Sequence, residues 1–284
     1  MSARVSAFQL AVAATILCTF AAASSLKIQT EENQAVQECE AIQKTWIDTP
    51  RVIIFGEVHG TDEAPRFIAE LACNIAKIAP VVIGIEYPPS EQPTLDMFMK
   101  AKSKRGENDA IFSSSFWTRD FQDGKTSSAM LRMLTRIKQL KNGGAKIDIL
   151  AVGGEGPGQS EAILRNIITS ERNGNSRIVA LVGNGHARKI HLQSTKALGS
   201  DIANLHRRTI EIKYSSGTAW ACAPTCRIQH FGAHKADEKE ISLEEVAPPE
   251  NAAEHLGEIY LGRSHASPPA VPEGTTSEFQ TNEL

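Results

Sequence analysis

The sequence predicts an α/β fold: a mainly parallel sheet covered by helices on both faces, with an antiparallel or edge strand near the C-terminal end. Three observations carry this. Residues 51–55, 80–86, 146–152 and 177–182 are near-continuous apolar runs rich in Val and Ile. Helical stretches separate them, so strand and helix alternate along the chain. The runs do not alternate polar with apolar, which is the pattern of strands buried on both faces.

The elements follow in order. Arg4, the apolar stretch 7–20 and Ala21-Ala22-Ala23 have the layout of a secretory signal, so residues 1–23 are expected to be removed before Ser24 or Ser25. Residues 31–45 have helical character and lead into the first strand, 51–55. Pro65 falls in the first turn of the next helix, where its missing N–H is harmless, and Phe67, Ile68, Leu71, Ile75 and Ile78 recur at helical spacing to Ala79. The second strand, 80–86, is stopped by Pro88-Pro89.

A helix over 93–104 and a polar, aromatic connection over 113–124 come next. Met130, Leu131, Leu134 and Ile137 mark a helix over 127–140 that ends at Asn142-Gly143-Gly144. The third strand, 146–152, enters a glycine-rich turn. Ser160 opens a helix that runs through Ile163, Leu164, Ile167 and Ile168 to Asn173-Gly174, before the fourth strand, 177–182. Residues 209–214 alternate polar with apolar and read as an edge strand.

One domain over 24–234 is thus expected, followed by a tail over 235–284. Without residues 1–23 the chain carries 29 basic and 33 acidic side chains, and 11 of those acids but only 3 bases lie in the tail. With Pro248-Pro249, Pro268-Pro269 and Pro272, it reads as an acidic, largely disordered extension with a short helix around 250–261. No later segment approaches the ~20 apolar residues of a membrane span. No basic stripe is interleaved with aromatics, so nucleic acid is not an expected partner. Cys39, Cys73, Cys222 and Cys226 follow the signal, and an even number in an exported, periplasmic or secreted chain reads as disulfides. Cys222 and Cys226 enclose a tight loop and are the expected pair, which leaves Cys39 and Cys73 to each other.

The chemistry concentrates at the strand ends. Gly56-Glu57-Val58-His59 follows the first strand and Gly183-Asn184-Gly185-His186 follows the fourth, while Glu86 closes the second and Glu155 follows the third. In open parallel sheets the ligand crevice lies beyond the carboxyl ends of the strands. Glu57 and His59, two residues apart in extended chain, point to one side, which suits a carboxylate that orients an imidazole. Trp117 and Arg119, in the polar connection, are candidates for substrate binding through an aromatic platform and a guanidinium. The glycine-rich turn lacks the Lys of a phosphate loop, and neither G-x-S-x-G nor H-E-x-x-H occurs.

G-E-x-H after the first strand, an apolar strand ending in Glu and a late apolar strand ending in G-x-G-H resemble the superfamily that joins erythromycin esterases, ChaN haem-uptake proteins and Tiki/TraB proteins. The resemblance spans about 51–191. It implies an α/β sheet with Glu57, His59, Glu86 and His186 as the active-site set. Where ChaN- and Tiki-like relatives carry an Arg-Asp pair, this chain has Gly-Pro-Gly-Gln-Ser160.

The function expected is an exported hydrolase, an esterase or peptidase, that activates water with His59 and His186, helped by Glu57 or Glu86. Activation is either direct or through a divalent metal ion held by His59, Glu86 and His186. The rival is a haem-binding uptake protein without catalysis, with His59 or Tyr87 on iron and Trp117 lining the pocket.

Overall fold

The computed structural model describes residues 38–42, 51–154, 156, 158–197, 207–222, 224–232 and 257–271. The signal at 1–23, Glu155 and most of the helix expected over 31–45 lie outside them. The chain divides into Met1–Glu40 and Ala41–Leu284, and the elements below belong to the second unit.

Six strands form one sheet in the order β3-β2-β4-β1-β5-β8, all neighbours parallel: β1 (Val52–Glu57), β2 (Val81–Ile85), β3 (Ile147–Ala151), β4 (Arg177–Gly183), β5 (Arg207–Lys213) and β8 (Gly257–Tyr260). A smaller mixed sheet, β7-β6-β9, joins the antiparallel hairpin β6 (Ser216–Cys222) and β7 (Cys226–Phe231) to the short β9 (Arg263–Ser264). The helices are α1 (Glu63–Ala76), α2 (Gln92–Lys100), α3 (Lys104–Phe112), α4 (Ser128–Asn142), α5 (Gln159–Asn173) and α6 (Asn184–Ala197). The α/β architecture with its mainly parallel sheet is the one the apolar runs predict.

Both faces of the sheet are covered. Val52 and Ile54 of β1 join Val152, Ile163, Ile167, Ile178, Ala180, Val182, Ala187 and Ile190 in a core under α5 and α6. Phe55 of β1 meets Phe67 of α1 edge-on at 5.5 Å, and α1 packs against α4. Burying each of these side chains is worth about 1.5–3 kcal/mol, which fixes β1 in the interior rather than at an edge. Gly56 lets α6 approach, because a Cβ there would sit 2.7 Å from Ala187 Cβ.

Four expectations are corrected. The helix expected over 93–104 is two helices, since Ala101 turns extended and Ser103 caps α3 by accepting from Gly106 N–H. The fourth strand runs into α6 at Asn184, so His186 stands on a first helical turn; Asn-Gly reads as a turn in sequence but here starts a helix. The strand at 209–214 lies inside the sheet, because β8 pairs along its outer side. Finally, β8 replaces the end of the helix expected at 250–261, and Gly257–Val271 is built into the fold.

Helix N-termini explain that last difference. The first turn of a helix leaves N–H groups without helical partners. Ser267 Oγ accepts from Ala129 N–H at 2.8 Å and Pro268 O from Ser128 N–H at 2.8 Å, which closes the start of α4. Glu63, at the start of α1, accepts from His265 N–H at 3.1 Å. Pro268 has no N–H to donate, but its carbonyl is an acceptor where donors are in excess.

Two glycines then bring distant loops together. Gly60 (φ 77°) and Gly124 (φ 90°) adopt the left-handed conformation, and a Cβ on Gly124 would lie 2.5 Å from Gly60 N. Gly60 O also accepts from Trp220 N–H at 2.9 Å and Ser267 N–H at 2.7 Å. The turn after β1, the 113–127 connection, the β6 hairpin and the C-terminal segment therefore meet at the backbone of Gly60.

A side chain at Gly60 must both hold a positive φ and displace the Trp220 carbonyl. Gly60→Ala is expected to cost at least about 2 kcal/mol of folding stability, read from the midpoint of urea unfolding. An unchanged midpoint contradicts this packing.

Candidate functional site

Three neighbouring strands, β2, β4 and β1, deliver the site at their carboxyl ends. Glu57 is the last residue of β1, opposite Gly183, the last of β4. Glu86 directly follows β2. His59 stands two residues beyond β1, and His186 is the third residue of α6. The four residues expected to act together are therefore brought together.

Glu86 is the centre. It is buried, and its Oε2 accepts from Gly183 N–H at 2.6 Å. Lys125 Nζ lies 3.1 Å from Oε1. Each imidazole then faces a different oxygen of the same carboxylate: His59 Nε2 is 3.6 Å from Oε2 and His186 Nε2 is 3.6 Å from Oε1. A Cβ on Gly183 would stand 2.9 Å from His59 Nε2 and 3.4 Å from Glu86 Oε2, so the absence of a side chain there keeps the space between the two.

The far side of each ring differs. His59 Nδ1 is held by Glu57 Oε1 at 2.9 Å, whereas His186 Nδ1 meets the hydroxyl of Ser160 at 2.8 Å. Glu57 Oε2 is buried and has no donor among the described residues. Such an acceptor is expensive to leave dry, so it marks a place for a water or a substrate donor.

These contacts set the charges. Burial by itself pushes His59 down, but the hydrogen bonds and charges of Glu57 and Glu86 outweigh it and lift the ring to about 10. Burial raises Glu86, yet His59, Lys125 and the Gly183 N–H together hold it well below the usual carboxylate range. Glu57 moves up, because burial exceeds what His59 returns. Lys125 is raised, since Glu86 and Asp123 overcome the cost of its burial. At neutral pH the centre is an imidazolium and an ammonium around ionised Glu86.

Lys125 is the neighbour of the site that sequence reasoning missed, while Ser160 and Gly183 read only as a helix start and part of a strand-end motif. Lys125 comes from the 113–127 connection, where Asp123 grips it at 3.3 Å and Arg119 in turn holds Asp123 at 2.6 Å. The signal available was Asp123-Gly124-Lys125, a glycine turn between opposite charges.

Trp117 and Arg119 do not stand over the crevice as expected of substrate-binding residues. Trp117 is buried and packs edge-on against Tyr87 at 5.8 Å, while Arg119 lies over the Phe116 ring at 4.1 Å and donates to the carbonyls of Phe116 and Phe121. They shape the loop that carries Lys125. The Tyr87 hydroxyl donates to Lys125 O at 2.8 Å, and burial raises its pKa well above the ordinary value, so it offers no phenolate to iron.

The donor set can be tested against a divalent ion. Among the described residues no three His, Cys, Asp or Glu side chains are placed to hold one. Glu86 already serves a backbone N–H and an ammonium. His59, Glu86 and His186, the set expected to hold a metal, stand together without forming such a group.

Cys222 and Cys226 form a disulfide at the turn end of the β6–β7 hairpin, and Cys39 and Cys73 are each in a disulfide. Cys222 Sγ and Trp220 Nε1 both approach Gln122 O, at 3.3 and 2.8 Å, which ties the hairpin to the Lys125 loop. Among the described residues no helix is long and apolar enough to cross a membrane.

No protein-family model matches the chain, and no curated protein matches it in sequence. Two solved structures are similar. A crystal structure of a protein from Bacillus cereus has a TM-score of 0.48 at 8% identity, covering 80% of this chain and 92% of that one. The type III effector HopBA1 has a TM-score of 0.35 at 17% identity, covering 58% of this chain and 80% of its own.

The charge arrangement has a pH signature. Folded His59 holds its proton to about 10, whereas an unfolded imidazole releases it near ~6.5. The folded pKa is the higher one, so the stabilisation from this group is complete below ~6.5 and is lost as pH rises towards 10. His59→Gln is expected to flatten stability over that window, as read by urea unfolding at several pH values. A slope unchanged from the wild type contradicts the ion triad.

Proposed function

We propose that the chain is an exported hydrolase of the erythromycin esterase, ChaN and Tiki type, which activates water with its paired imidazoles and needs no metal. One observation carries the reading: two histidines from distant parts of the sequence present Nε2 to opposite oxygens of a single buried carboxylate. Disulfide bonds agree with an exported chain. A structural pair has no need of two partly exposed rings and a lysine around one buried anion, whereas a site that moves protons does.

The chemistry follows from the charges. His59 Nε2 takes a proton from water, and Glu57 on Nδ1 stabilises the imidazolium that results. The oxygen of that water attacks an electrophilic acyl carbon, and the leaving group departs with the proton from His59. Lys125, rather than Arg119, is the cation available to an anionic substrate group.

Hydrolysis of p-nitrophenyl acetate and of a peptide library by the full chain tests this. His59→Gln is expected to lose about 10²–10⁴-fold in kcat, the usual worth of a positioned base. EDTA should leave the rate unchanged. Because Glu57 and Glu86 hold the proton on His59, kcat/KM should climb with pH towards about 10. Glu86→Gln removes one of those charges and should move that limb to lower pH. Wild-type rates in His59→Gln, or inactivation by EDTA, overturn the proposal.

A further inference from the structure

We propose that the two imidazoles have different, fixed roles: His186 is a hydrogen-bond donor to the oxygen that gains negative charge, held in its Nε2–H form by Ser160 as a positioning residue. This rests on the hydrolase reading and names the part of it that the two histidines divide.

The argument is a count of protons around Glu86. An ionised carboxylate accepts only, and it already accepts from Gly183 N–H and Lys125. His186 Nε2, 3.6 Å from Oε1, must therefore carry a hydrogen, because a lone pair there would face a negative oxygen. In a neutral ring this leaves Nδ1 as the acceptor, toward which the Ser160 hydroxyl, 2.8 Å away, donates. Ser160 is 3% exposed and stands at the second residue of α5, so its rotation is confined. The hydrogen bond on the unreactive nitrogen selects the tautomer presented by the other.

His59 has the opposite environment. A carboxylate lies on each side of its ring, Glu57 at 2.9 Å and Glu86 at 3.6 Å, so it is the ring built to gain and lose a proton. A hydroxyl brings no charge to His186, which suits a donor that is not consumed. A donor of this kind is worth having only if negative charge develops on oxygen, so the substrate class is a carbonyl ester or amide, whose C=O pair moves onto oxygen as water adds. The C–O bond to water forms as the π bond opens, and the oxyanion returns its pair when the leaving group departs with the proton from His59.

The test has an arm that needs no substrate. Long-range ¹H–¹⁵N correlation spectra of the full chain labelled at histidine, with His186 identified by its loss in His186→Gln, should show the Nε2–H tautomer in the wild type and in Ser160→Thr. Ser160→Ala should show both tautomers. An Nδ1–H tautomer or an imidazolium at His186 at pH 8 overturns the proposal. In the second arm, p-nitrophenyl acetate hydrolysis by His186→Ala should fall about 10²-fold or more, the usual effect of removing one oxyanion donor. His186→Gln, which keeps an N–H, should fall less and keep the alkaline limb that His59→Gln abolishes. Loss of that limb in His186→Gln with its retention in His59→Gln overturns the assignment while the hydrolase reading stands. Equal rates in every variant remove both.

Discussion

Everything in this site depends on a buried carboxylate that cannot satisfy itself. Glu86 leaves β2 beneath two loops, and an ionised group there is tolerable only if its lone pairs are filled. Gly183 N–H and Lys125 Nζ fill two of them directly. The two imidazoles stand one ion-pair distance further out. The anion is held ionised by these partners, and in return it orders four elements around one point: the end of β2, the end of β4, the turn after β1 and the 113–127 connection.

That dependence explains why the surrounding backbone is unusual. Lys125 comes close because Gly124 and Gly60 touch through their main chains, and the same carbonyl of Gly60 receives donors from Trp220 and Ser267. The hairpin disulfide and the proline-rich C-terminal segment are then supports for the loop that delivers the ammonium. Their distance in sequence from the histidines hides a short physical chain: Cys222 and Trp220 to Gln122, Gln122 to the turn at Gly124, and Lys125 to Glu86.

Much of the fold was legible because it is written in apolar periodicity. Continuous Val and Ile runs gave the buried parallel strands, and Glu57, His59, Glu86 and His186 were visible because each lies at or just beyond a strand end. Lys125 was not, since a lysine in a polar loop becomes a functional neighbour only through two positive-φ glycines that meet across 64 residues. Trp117 and Arg119 misled for the converse reason: their chemistry suits a ligand, but the loop consumes it. The C-terminal segment was misread because composition reports what a segment lacks, a hydrophobic core of its own, and not the helix N-termini that its carbonyls satisfy. Ser160 read as a helix start, which it is, and its hydroxyl gains a role only where α6 brings His186 over it.

The central claim is that His59 and His186 act on one substrate through one shared anion. A double-mutant cycle of His59→Gln and His186→Gln, read as kcat/KM for p-nitrophenyl acetate, tests it most directly. Residues that act as a unit lose most of their effect at the first substitution, so the account predicts a double variant little slower than the slower single variant. Losses that multiply independently would contradict it.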